Sequence, residues 1–170
     1  MSERYIVVDH LKFSYEGLFN LTEFYTLIPT WFYDKGYDWY EKMNQELVTP
    51  KGKQIKIILE PWKNVGNYNT IIMNIKIILT DVKDVEVQHD NKTLQLNQGL
   101  IRITYDGYVV SDRNNKFRGK PFLWLLSIMA DKYFYRDFFK KFETWIKSDV
   151  DDLHEKIKNY LNVYKYQYKN

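Results

Sequence analysis

Cysteine is missing from all 170 residues. Its absence removes disulfides, thiolate nucleophiles and cysteine-ligated zinc together. Glycine is scarce at seven residues and proline at four. A glycine-rich phosphate loop has little to be built from, and neither a G-x-S-x-G elbow nor a kinase-like set of motifs occurs. The three histidines, His10, His89 and His154, lie far apart with no H-E-x-x-H-like spacing, so neither a metal nor a cofactor is expected. Asp149, Asp151 and Asp152 are clustered, but helix capping explains them more simply than a divalent cation. No apolar run approaches the ~18 residues of a membrane-spanning helix. The start MSERYIVVDH lacks the apolar stretch of a secretion signal. The expectation is therefore a cytoplasmic protein, in which the N-x-T triplets at Asn20 and Asn91 are chance matches.

Aromatic residues are abundant: 15 Tyr, 10 Phe and 5 Trp, or 18% of the chain. Tyr and Trp combine an apolar body with a polar tip, which suits core rims, cavity walls and base stacking. Hydrophobic residues make up 45% and charged residues 28%, with a net charge of +3. That is the balance of a globular chain, and the length suits a single domain, 1–170, with a real core. The mild positive charge is compatible with anionic partners without demanding one.

Hydrophobic period assigns the elements. Residues 4–15 alternate as a strand, with Tyr5, Val7, Leu11, Phe13 and Tyr15 on one face, and Gly17 is expected to break it. Leu18, Leu21, Tyr25, Ile28 and Phe32 recur at helical spacing up to about Asp34. Asn20 with Glu23 fits a cap, Pro29 predicts a kink or a split into two short helices, and Gly36 predicts the end. Alternation returns at Tyr37, with Trp39, Glu41, Met43 and Leu47 on one face. Pro50-Lys51-Gly52 is a turn, 55–59 a strand, and 64–69 a loop. Residues 71–79 form the cleanest strand, with Ile72 and Ile78 on its second face. A short strand at 85–87 turns at Asp90-Asn91 into a strand over 93–105. Asp106-Gly107 then reads as a second two-residue hairpin turn into a strand over 108–112. Helical period resumes at Pro121. Phe122, Leu125, Met129 and Tyr133 form one stripe, and Phe138, Phe142 and Trp145 form another. A capping pair, Ser148 with Asp151, precedes Val150, Leu153, Ile157, Leu161 and Tyr164.

The fold class is α+β. A curved antiparallel sheet of about six or seven strands carries one N-terminal helix and a long C-terminal helical region of two or three helices. This order resembles the helix-grip, or START-like, superfamily at the level of topology. The resemblance implies a sheet wrapped on a C-terminal helix around an internal cavity. The stretches 113–132 (RNNKFRGKPFLWLLSIMADK) and 152–161 (DLHEKIKNYL) also resemble a group of uncharacterised archaeal proteins, which implies no function.

The sharpest local feature is the basic loop 113–120. Arg113, Lys116, Arg118 and Lys120 stand there with no acid, just before an expected helix N-terminus that favours anions. Lys51, Lys53, Lys56 and Lys63 add charge near Trp62 and Tyr68, a pattern suited to single-stranded nucleic acid or, more plainly, to a protected sheet edge. Trp39, Glu41, Trp62 and Arg102 are candidates for lining a concavity or stacking on a ligand. A buried Glu41 could serve as an acid or base. The leading expectation is a non-enzymatic module that holds an apolar or amphipathic small molecule. The alternative is an RNA or ribonucleoprotein partner that uses the basic loop. A third reading, an enzyme of the cyclase or hydratase kind, requires Glu41 inside a pocket.

Overall fold

The computed structural model describes residues 4–66, 69–111 and 136–168, together with helical positions 122, 125 and 129. The elements are β1 (Arg4–Phe19), α1 (Leu21–Asp34), β2 (Glu41–Thr49), β3 (Gly52–Leu59), β4 (Trp62–Val65), β5 (Asn69–His89), β6 (Lys92–Val110) and α2 (Arg136–Gln167). The six strands form one antiparallel sheet in the order β1-β6-β5-β3-β2, and β4 pairs with β5 beyond the end of β3. The sheet is open and curled, and both helices pack on one of its faces. The α+β architecture agrees with the alternation in the sequence.

That alternation decides the layers. On β5, Ile71, Met73, Ile75, Ile77 and Leu79 are buried, and on β6 so are Ile101, Ile103, Tyr105 and Val109. They meet Phe24, Ile28, Trp31 and Phe32 of α1 and Phe142, Ile146, Val150, Leu153, Ile157 and Leu161 of α2 in one cluster. The α2 positions follow steps of four, four, three, four and four, one apolar stripe along a helix about 48 Å long. Phe139 touches Tyr5 near one end of β1, while Tyr168, beyond the other end of α2, touches His89 at the β5–β6 turn. The helix therefore spans the sheet from one end to the other.

Several local expectations are corrected. Gly17 does not end β1. Its φ is +154°, and the Tyr15 ring folds over it with the hydroxyl donating to the Leu18 carbonyl at 2.7 Å, so the strand runs on to Phe19. Leu18 accordingly belongs to β1, and the buried stripe of α1 runs through Phe24, Ile28, Trp31 and Phe32. Pro29 lies inside one uninterrupted helix, which is capped as expected by Asn20 accepting from the Glu23 N–H at 3.2 Å. The two ends of the 64–69 stretch are ladder rather than loop, because Asn64 pairs with Thr70 and Val65 with Asn69.

Asp106-Gly107 is no hairpin turn, for β6 passes straight through it. At Gly107 α2 comes too close for a side chain: a Cβ there would sit 2.5 Å from Ile146 Cγ2. The 85–87 segment belongs to β5, whose register shifts beside Asp81 (φ 55°) without ending the strand. Asp90 and Asn91 do form the expected tight turn, both at positive φ. Ser148 and Asp151 cap nothing, since α2 runs through both as one helix. Phe122, Leu125 and Met129 are helical but exposed rather than buried. No helix among the described residues is long and apolar enough to cross a membrane.

Candidate functional site

No described element covers the face of the sheet turned away from α1 and α2, and the strand register defines what that face displays. Residues directly opposite in an antiparallel ladder share a face. One row therefore runs Lys12–Thr104–Lys76–Ile58 and the next runs Ser14–Arg102–Ile78–Lys56–Gln45. Four cations occupy alternating positions of this patch. Strand spacing places Lys12 about 10 Å from Lys76, and Arg102 about 10 Å from Lys56, measured between backbones. Lys12, Lys76 and Arg102 are exposed and Lys56 is half-buried. None of the four pairs with a carboxylate among the described residues. Among the described residues, Arg102 reaches the Thr80 hydroxyl, at 3.4 Å.

The same face carries aromatic and apolar groups. Ile6, Tyr108, Ile72 and Trp62 form a further row. Arg4 lies over the Tyr108 ring at 5.0 Å, whereas Trp62 is 36% exposed. Glu60 and Asp106 stand between the aromatic and cationic rows, and both are engaged. Glu60 accepts from Lys42 Nζ and Asn74 Nδ2, each at 2.8 Å. Burial alone would raise the pKa of Glu60, but those two hydrogen bonds and the Lys42 charge hold it below the usual carboxylate range. Asp106 accepts from the His10 backbone N–H at 2.7 Å. A groove of about 410 Å³ opens beside Lys56 and Ile78, with Gln45, Leu47 and Gln54 along its walls.

Of the residues singled out in the sequence, the structure brings Lys56, Trp62 and Arg102 to this face. Trp39 is on the other side, 41% exposed, with its ring 6.0 Å from that of Phe32 in α1. Glu41 is exposed and sits on edge strand β2, opposite Leu59. Its charge, with that of Glu46, adds to burial in pushing the Tyr25 hydroxyl up to about 12. Three strand spacings, about 14 Å, separate the strands of Glu41 and Arg102, so the two do not pair. An exposed Glu41 also lacks the enclosed setting that the enzyme reading required. Arg113, Lys116, Arg118 and Lys120 lie outside the described residues. Lys12 and Lys76 went unnoticed in the sequence, because they are 64 positions apart on different strands and only the register unites them.

The covered face holds a different feature. Asp149 and Asp152 of α2 grip the far end of α1. Trp31 Nε1 donates to Asp152 at 2.8 Å, Tyr37 Oη donates to Asp149 at 2.9 Å, and Lys35 lies 3.0 Å from Asp152. At the other end Tyr160 donates to the Asn20 carbonyl at 2.8 Å and Tyr164 to Glu23 at 2.5 Å. Between sheet and helix, the Tyr105 hydroxyl and His154 Nδ1 are buried without a hydrogen-bond partner among the described residues, and their rings meet edge to face at 5.7 Å. Burial pushes the Tyr105 hydroxyl well above the ordinary tyrosine range.

No protein-family model, no curated protein and no solved structure matches this chain.

Proposed function

We propose that this is a non-enzymatic binding protein whose ligand is single-stranded nucleic acid, RNA in the first instance, lying along the open face of the sheet. The observation that carries this reading is the set of four cations, Lys12, Lys56, Lys76 and Arg102, on two adjacent rows, none of them paired with a carboxylate among the described residues. Unpaired cations on an open surface attract a phosphate backbone, and an exposed ring such as Trp62 offers a base something to stack on. Arg113, Lys116, Arg118 and Lys120 are a second candidate set for the same strand.

The test is fluorescence anisotropy with a labelled single-stranded RNA. Four phosphate contacts on a single strand give a log–log salt slope of roughly −3. The variant Lys12→Gln/Lys56→Gln/Lys76→Gln/Arg102→Gln is expected to lose at least tenfold in affinity and most of that slope. Replacing the four cations of 113–120 by Ala separates the two sets. RNA binding left intact by the sheet variant refutes the assignment to this face.

One observation favours a second reading, an apolar or amphipathic ligand between the sheet and α2. Tyr105 and His154 leave two buried polar atoms there without a hydrogen-bond partner among the described residues, where a ligand's polar end would find partners. That reading matches what the helix-grip resemblance implies.

A further inference from the structure

Asp9 and His10 are neighbours in a strand, where successive side chains point to opposite faces. Here they do not. Val8 pairs with Gly107 and Leu11 with Tyr105, so Asp9 and His10 together stand opposite the single residue Asp106. This is the two-against-one count of a β-bulge. His10 accommodates it with φ at 52°, a left-handed conformation uncommon for residues other than glycine. The result is convergence: His10 Nδ1 and one oxygen each from Asp9 and Asp106 lie within 4.8 Å of one another. Nδ1 is 3.3 Å from Asp106 Oδ1 and hydrogen-bonded to Asp9. Donors about 2.0–2.2 Å from a tetrahedral metal stand roughly 3.3–3.6 Å apart, and the 3.3 Å between Nδ1 and Asp106 Oδ1 matches that separation, whereas the Asp9 oxygen, hydrogen-bonded to Nδ1, must swing outward when a cation takes the place of the shared proton. The His10 backbone N–H fixes the Asp106 carboxylate at 2.7 Å, the kind of support that orients a metal-binding carboxylate. The Asp9 and His10 side chains are 71% and 66% exposed, which leaves room for water to complete the shell. Lys12 is the nearest cation on the same strand.

We propose that Asp9, His10 and Asp106 bind a first-row divalent cation of the zinc class through one imidazole nitrogen and two carboxylate oxygens. This mixed nitrogen and oxygen set suits such an ion better than calcium or magnesium, which take oxygen alone. The site borders the open face, where Asp106 stands between the aromatic and cationic rows, but it does not rest on the nucleic-acid reading, and its test contains no nucleic acid.

The probe is zinc chloride titrated into the full chain by calorimetry, with cobalt(II) absorbance as a second readout. One saturable site is expected. His10→Asn keeps a residue that tolerates positive φ while removing the imidazole, and should weaken binding at least tenfold. Asp106→Asn should do the same. Asp9→Asn changes an exposed side chain and provides a variant whose fold is not at risk, and it too should weaken binding. Circular dichroism of each metal-free variant confirms folding. His89→Ala and His154→Ala should bind zinc as the unchanged protein does. Absence of saturable binding overturns the proposal, as does binding that survives both His10→Asn and Asp9→Asn or that disappears with His89→Ala.

Discussion

Tyr105 sharpens the contrast between the two faces of the sheet. Its side chain is 1% exposed, and its hydroxyl has no partner among the described residues. A buried unpaired hydroxyl costs stability, so removing it should cost nothing. Tyr105→Phe is expected to leave unfolding by urea unchanged or to stabilise the chain by up to about 1 kcal/mol. A loss larger than that would mean that the hydroxyl has a partner, and added mass in native mass spectrometry of the gently purified protein would identify that partner as a bound guest. This one substitution weighs directly on the second reading of function. Residue-level signals in the sequence were strong where they were local, as with Asn20 at the start of α1 and Asp90-Asn91 at the tip of the long hairpin. They failed where the cause lay far away. Asp106-Gly107 has the composition of a turn, but Gly107 makes room for Ile146, a contact no local rule contains. Arg102 was placed in a strand correctly, but which face it occupied depended on Ser14 and Ile78, its partners on other strands.

At the scale of elements, periodicity was the better guide. The stripe from Phe142 through Ile146, Val150 and Leu153 to Leu161 crosses Ser148 without a break, and that continuity outweighs the apparent cap. Packing of an amphipathic face supplies most helical stability in a folded chain, and here it holds α2 together past a serine and an acid-rich turn. The acids have other work. Asp149 and Asp152 hold Trp31, Lys35 and Tyr37, and thereby fix α1 beside α2. The hydrogen bond from Trp31, together with Lys35, holds Asp152 below the usual carboxylate range. A carboxyl whose pKa is lower folded than unfolded contributes stability above its unfolded value near 3.8, and loses that contribution as pH falls through the folded value. Asp152 is mostly exposed, so screening keeps the effect small, below about 1 kcal/mol. Asp152→Asn should accordingly be slightly less stable than the unchanged chain at pH 7. The gap in urea midpoint should close as the pH approaches 3. A gap that stays constant with pH would mean that the Asp152 charge plays no part.

Across the whole molecule, the two longest strands and the long helix divide stability unevenly. Residues 71–79 and 101–109 are central in the sheet, paired on both sides, and roofed by α1 and α2. Beyond the register shift at Asp81, β5 and β6 continue as a hairpin that carries exposed Glu86, Gln88, Lys92, Thr93 and Gln95. At its tip His89 meets Tyr168 at 5.0 Å between ring centres. Local opening follows the loss of buried apolar contacts and the exposure of backbone hydrogen bonds. Hydrogen exchange should therefore be slowest at 71–79 and 101–109, set by global unfolding, and much faster at 87–94. The open face belongs to the slow region, because Lys76 and Arg102 alternate with the buried Ile75, Ile77, Ile101 and Ile103. A strand bound there would meet a rigid surface, so RNA should change exchange little at 71–79 and 101–109 while shielding the exposed side chains above them. If the slowest amides instead lay in the distal hairpin, the stable core would not be the layer beneath the cations, and the face would lose its claim to be pre-formed.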